Sequence, residues 1–149
     1  MKYQLTILFT FLTISISSAQ GLIAPIQIGE QTWSQENAYL TTFSNGENIP
    51  FAATKEEWQT FNKNSKPAYC YYKFDKANEN LGLFYNHWAV SSPKGLAPEG
   101  WQVPTVADWE TLINTVGKER SGKVLRTTSG WQDVGTEYSG TNAVKFNGK

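Results

Sequence analysis

A single cysteine, Cys70, is the feature that most narrows what this 149-residue chain can fold into. One thiol allows no intramolecular disulfide, so the fold must be held by packing alone. The constraint matters because the N-terminus reads as an export signal, and exported domains often rely on bridges. Lys2 supplies a positive n-region, Leu5–Ile16 is an apolar stretch relieved only by hydroxyl residues, and Ser17-Ser18-Ala19 offers small side chains for signal peptidase. Cleavage is expected between Ala19 and Gln20. The apolar run is too short for a membrane span, which needs about 20 residues. No Cys follows the small residues, so no lipobox is expected, and no second apolar run follows. The expected product, Gln20–Lys149, is a single soluble domain, secreted or held in the periplasm or at the cell surface.

Six tryptophans lie beyond the signal, at 33, 58, 88, 101, 109 and 131. Each large aromatic can bury roughly 150–250 Å², and full burial stabilises by about 1.5–3 kcal/mol. A tryptophan-rich core is therefore expected ahead of a ligand-stacking platform. Thirteen basic side chains balance thirteen acidic ones, and loss of Lys2 leaves the product close to neutral. Without a basic excess there is no electrostatic footprint for nucleic acid or an anionic membrane.

Local patterns predict a mixture of short elements. Ile26-Gln27-Ile28 and Gln31-Thr32-Trp33 flank Gly29-Glu30 as a hairpin. Ser44–Pro50 has the composition of a loop. Thr54 and Glu57 form a capping box for a short helix with Trp58 and Phe61 on its apolar face, ended by Asn62–Pro67. Ala68–Phe74 is aromatic-dense and predicts a strand; Asp75–Asn80 predicts a solvated turn. Leu81–Val90 begins extended and turns helical at Asn86, and Ser91–Gly100 is a loop. The clearest element is Thr105–Val116. Thr105 caps it with Asp108, the set Val106, Trp109, Leu112, Ile113 and Val116 shares one face, and Gly117 ends it. A further helical turn is expected around Lys123–Thr127, and beyond Gln132 the chain is polar with little apolar periodicity. The fold class is α+β and irregular.

Chemistry-bearing motifs are scarce. His87 is the only histidine and Cys70 the only cysteine, so no zinc site of ordinary composition can be assembled. Asp75–Asn80 lacks the spacing of a calcium loop, although a site built from distant loops is left open by the sequence; no cofactor is expected. His87, beside Trp88, reads as a packed or surface histidine rather than a catalytic base. Cys70, between Tyr69 and Tyr71 and without a nearby cation, reads as a buried inert thiol. No nucleophile elbow, P-loop or dinucleotide fingerprint is present, and no pair among the carboxylates is singled out for glycoside hydrolysis.

Five segments in order resemble a known family: Ile28–Asn37 (IGEQTWSQEN), Pro67–Tyr72 (PAYCYY), Leu81–Val90 (LGLFYNHWAV), Leu96–Leu112 (LAPEGWQVPTVADWETL) and Lys123–Trp131 (KVLRTTSGW). Together they are similar to the Fibrobacter succinogenes major paralogous domain, over about Ile26–Thr141. The most specific piece is GWQVPTVADWETL. The resemblance extends distantly to formylglycine-generating-enzyme domains and C-type-lectin-like folds, which implies an irregular C-type-lectin-like domain. The matching residues Trp33, Tyr69, Cys70, Tyr85, Trp88, Gly100, Trp101, Pro104, Thr105, Trp109 and Trp131 are expected to build the fold, not to catalyse. Gly100 would allow a turn, Trp101 anchor it, Pro104-Thr105 start the helix, and Trp109 point back into the core. Two departures stand out. Ala97 occupies a position where the family often has Cys, and the family pattern usually continues past Tyr138–Phe146 into further strands. A C-terminally shortened domain with an exposed sheet edge is therefore expected.

These features favour an exported, non-catalytic binding module, its partner an extracellular glycan or surface protein. A degenerate or structural paralogue without a ligand is the alternative. An enzyme akin to the formylglycine-generating enzymes is less expected, because that chemistry needs reactive cysteines or a metal. Mass spectrometry of the exported protein is expected to show Gln20 as its first residue.

Overall fold

Gly29 sets the first turn. A computed structural model describes residues 25–129 and 140–146, and in it β1 (Pro25–Ile28) and β2 (Gln31–Ser34) pair antiparallel with Ile28 opposite Gln31 and Ile26 opposite Trp33. Only Gly29 has positive φ in this two-residue turn (+59°), as a type II′ hairpin requires. A side chain there would also collide with Thr115, whose Cγ2 lies 2.8 Å from the place a Cβ would take. The turn is thus glycine for two reasons: conformation and close approach. The expected signal, the Ala19/Gln20 junction and Trp131 lie outside the described residues.

Alternation along the hairpin puts Ile26, Ile28 and Trp33 on one face. That face packs on α3 (Val106–Val116) through Leu112 and Val116, with Val124, Leu125, Val144 and Phe146 closing the cluster. The α3 termini form as the sequence predicts: Thr105 and Asp108 make a reciprocal capping box, and Gly117 follows the last turn with φ +92°. Its apolar face is narrower than predicted. Leu112 is 0% exposed and Val116 is buried, but Val106 is 75% and Trp109 40% exposed. Leu112 and Val116 pack against the hairpin and α4 (Ser121–Leu125), whereas the first turn meets β2 through Trp109 and the Asp108 C=O and leaves Val106 uncovered.

A second cluster is built mostly from loops: Leu40, Phe43, Ile49, Ala89 and Leu96, with Ala38, Tyr69 and Tyr85 against it. The loop carrying Phe43 and Ile49 closes through a Thr42–Asn48 bridge and the bond from Phe43 N–H to Glu47 C=O (2.8 Å). Beside it lie β3 (Tyr69–Cys70) and β4 (Phe84–Tyr85), paired antiparallel, and α2 (His87–Val90). The strand predicted over Ala68–Phe74 is therefore only two residues long. Its partner starts just after Gly82, which has φ +80° and lies against Asn37 and Ala38, so the ladder cannot lengthen. Past Tyr71 the chain coils into 3-10 turns over Tyr72–Phe74 and Lys76–Leu81, with Lys73 and Phe74 at positive φ.

α1 (Lys55–Lys63) stands apart and buries none of its residues; Trp58 and Phe61 are half-covered. Thr54 caps Glu57 N–H as predicted, but the Glu57 carboxylate accepts from Ala53 N–H (2.7 Å), one residue before the cap. The predicted helical turn near Lys123 begins earlier, at Ser121. The tryptophan core is also corrected. Among the described tryptophans only Trp33 is buried, and the interior is aliphatic, with Phe43 and Ala residues. Indole rings are too large to bury fully between elements this short. The described residues make a mixed α+β fold of short helices and two-stranded ribbons.

Asn86 is the buried polar residue of this interior, 3% exposed. Its Oδ1 accepts from Ala68 N–H and Ala89 N–H, both at 3.0 Å, and its Nδ2 donates to Lys66 C=O at 2.8 Å. Asn86→Ala removes an N-cap, worth about 1 kcal/mol, and strands the buried Ala68 N–H, at about 1–3 kcal/mol. The variant is expected to lose about 3 kcal/mol in urea unfolding, whereas Asn45→Ala, on an exposed loop, should change the midpoint little.

Candidate functional site: an aromatic groove

The segment Gly100–Trp109 runs from a turn into a helix. Trp101 N–H donates to Pro98 C=O (3.0 Å), Gly100 takes φ +81°, residues 101–105 form no helix or strand, and Pro104-Thr105 opens α3. This piece and β2 line a groove of about 540 Å³, together with Leu40, Tyr85 and Leu96. The groove lies where the two hydrophobic clusters meet.

Three rings gather at one end. Trp33 and Trp109 lie 4.9 Å apart between centroids at 45°, and Phe146 meets both edge-on, at 5.7 and 6.0 Å. Aromatic pairs in this geometry contribute about 0.5–1.5 kcal/mol beyond burial. Trp109 does not point into the core as expected from the sequence; it stacks on Trp33 and stays open to the groove. Neither Trp101 nor Trp109 donates its indole N–H to another described residue.

The polar groups nearby are already engaged. Gln31 Nε2 donates to Asp108 C=O (3.1 Å) and its Oε1 accepts from Trp33 Nε1 (3.3 Å). Asp108 Oδ2 accepts from Thr105 N–H (2.8 Å), Thr105 Oγ1 (2.7 Å) and Gln102 Nε2 (3.1 Å). The Thr105 N–H foremost, then its hydroxyl, hold the Asp108 carboxyl below the usual range. A carboxylate so occupied is a helix cap, poorly placed to take up a proton. Tyr85 donates to Leu40 C=O (2.9 Å) and accepts from Leu40 N–H (2.6 Å), and burial pushes its pKa up. Its hydroxyl is thus neutral and tied to the backbone.

Of the residues singled out in the sequence, Trp33, Tyr85, Gly100, Trp101, Pro104 and Trp109 converge on the groove, and Thr105 caps the helix beside it. Tyr69 lies between Phe51 and Tyr85 in the second cluster. Trp88 is 37% exposed and meets the exposed His87 ring edge-on (5.3 Å). Cys70 is buried, and burial raises its pKa. Phe146 was missed, because it falls in a tail dominated by polar residues; the alternation Val144-x-Phe146 was the available signal. Among the described residues, no group of three or more His, Cys, Asp or Glu is placed to hold a metal ion, and no helix is long and apolar enough to cross a membrane.

The model of the Fibrobacter succinogenes major domain matches residues 26–149. The chain belongs to that family. No curated protein and no solved structure matches it. In this member of the Fibrobacter succinogenes major domain family, the most specific sequence signature, GWQVPTVADW, forms one wall of the groove. Ala97 also lines it.

The state of Cys70 is open to direct measurement. Its folded pKa is raised by burial, so the thiolate is scarce and the sulfur shielded. Iodoacetamide at pH 8 is expected to leave Cys70 unmodified in the native protein and to alkylate it fully in 8 M urea. Rapid native labelling would contradict the buried assignment.

Proposed function

We propose that this chain is an exported, non-catalytic binding module whose ligand, an extracellular glycan or surface protein, seats in the aromatic groove. The observation that carries this is Trp109. It is a large aromatic left 40% exposed at the mouth of a groove, backed by Trp33 and Phe146 so that its orientation is set before any ligand arrives. Preorganised aromatic surface is the usual anchor of a binding site, because little conformational freedom is lost on contact.

A non-catalytic role is supported by the chemistry of the lining. Asp108 is consumed by capping, Tyr85 by the backbone of Leu40, and the buried Cys70 lacks the electropositive surroundings that activate a thiol. The short helices, small ribbons and long connections are in keeping with a C-type-lectin-like arrangement, which we take as the fold type. Residues Met1–Ala19 are read as the export signal, giving a product secreted or held in the periplasm or at the surface. No cofactor is assigned.

Binding to a panel of insoluble polysaccharides and surface-protein peptides would test this role. The wild-type protein is expected to retain at least one ligand, and Trp109→Ala to weaken it about tenfold with an unchanged circular dichroism spectrum. A folded protein that retains nothing across the panel would overturn the proposal in favour of a paralogue without a ligand.

A further inference from the structure

The groove borders an edge of the hairpin, not one of its faces. Side chains alternate along β2, with Gln31 and Trp33 on one face and Thr32 and Ser34 on the other, yet all four line the groove. A cavity touched by both faces of a strand must run along its edge. Five consecutive residues, Gly100–Pro104, line it as well.

Backbone accounting sharpens this. The residues closing a two-residue hairpin form a hydrogen-bonded pair, and bonded and non-bonded pairs alternate beyond it. From Ile28–Gln31, the pair Ile26–Trp33 is bonded, whereas Gln27–Thr32 and Pro25–Ser34 are not. Pro25 has no N–H, which suits that register. Thr32 and Ser34 therefore turn their main-chain N–H and C=O away from β1, toward the groove. Among the described residues these groups take no backbone partner, and across the groove the main-chain groups of Gln102 and Val103 take none either. The outer edge of β2 thus presents main-chain groups without a backbone partner among the described residues to a mostly apolar slot.

We infer that the ligand of this groove is an extended polypeptide segment that adds to the free edge of β2. This deepens the binding role proposed above and depends on it. A donated strand supplies the alternating donors and acceptors that the outer edge of β2 lacks, while its inward side chains rest on Leu40, Leu96 and Trp109. A sugar would stack on Trp109 but would leave the periodic backbone groups of Thr32 and Ser34 without their natural complement. Among the described residues Glu36 and Asp108 line the groove and no Lys or Arg does, so the segment carries no acidic side chain where it is enclosed and alternates aliphatic residues with Ser or Thr.

The test uses the full chain and a set of synthetic ten-residue peptides alternating Val or Leu with Thr or Ser, titrated by tryptophan fluorescence. At least one peptide is expected to bind. N-methylation of its amides one at a time should then weaken binding about tenfold or more at every second position and little between. Ser34→Pro, which deletes an outward N–H at a position not bonded to β1, should weaken the same peptide. The N-methyl scan leaves the protein unaltered, so it stands even if that variant folds poorly. An effect without the two-residue period overturns strand addition. Failure of every peptide alongside binding of neutral oligosaccharides would overturn the strand while leaving the binding role intact; failure of both removes both. A self-associating protein whose dimer is lost on Ser34→Pro would place a second copy in the slot and also overturn the inference.

Discussion

The carboxamide of Asn86 sits where three pieces of chain with little regular structure of their own come together. One side chain joins Lys66 C=O, Ala68 N–H and Ala89 N–H. It thereby ends the loop after α1, positions β3 and starts α2. In a domain without a disulfide, a buried amide with every partner in place does the positional work that a bridge would otherwise do. Its neighbours confirm the dependence. Asn86 N–H donates to Ala68 C=O (3.1 Å), and Tyr85, one residue earlier, clamps both backbone groups of Leu40. The cluster of Leu40, Phe43, Ile49, Ala89 and Leu96 is hung on these bonds.

The groove is a consequence of having two small hydrophobic clusters instead of one large core. The hairpin and α3 enclose the first around Leu112. The loops, β3, β4 and α2 enclose the second. Elements of two to eleven residues cannot cover both clusters and the seam between them. Large aromatics with one covered face, Trp33, Trp101 and Trp109, collect along that seam. The signature segment lines the groove through Gly100–Pro104, Asp108 and Trp109.

Features governed by adjacent residues were legible in the sequence. The Gly29 turn, the Thr105–Asp108 box with Gly117, and the Asn86 helix start all follow from chemistry within three or four residues, and the structure places each where the pattern indicates. Features that depend on distant partners were not. β3 looked like a seven-residue strand but needed a partner of equal length, which Gly82 denies it. Trp109 occupied an apolar helical position, but nothing in the sequence reveals that it meets Trp33 and Phe146 and stays 40% exposed. Phe146 was hidden because its role depends on rings more than a hundred residues earlier in one case and nearly forty in the other.

The lone cysteine marks the same division. By itself the sequence determined that no internal disulfide could hold this domain, that its charge is balanced, and that its signature belongs to the Fibrobacter succinogenes major domain family. Only the tertiary structure decided which aromatics are core and which are surface, and that the outer edge of β2 takes no backbone partner among the described residues and borders a groove. Caps and turns are closed by their own neighbours, so they can be read along the chain. Burial and edge pairing are properties of segments far apart in sequence, and they exist only once those segments have met.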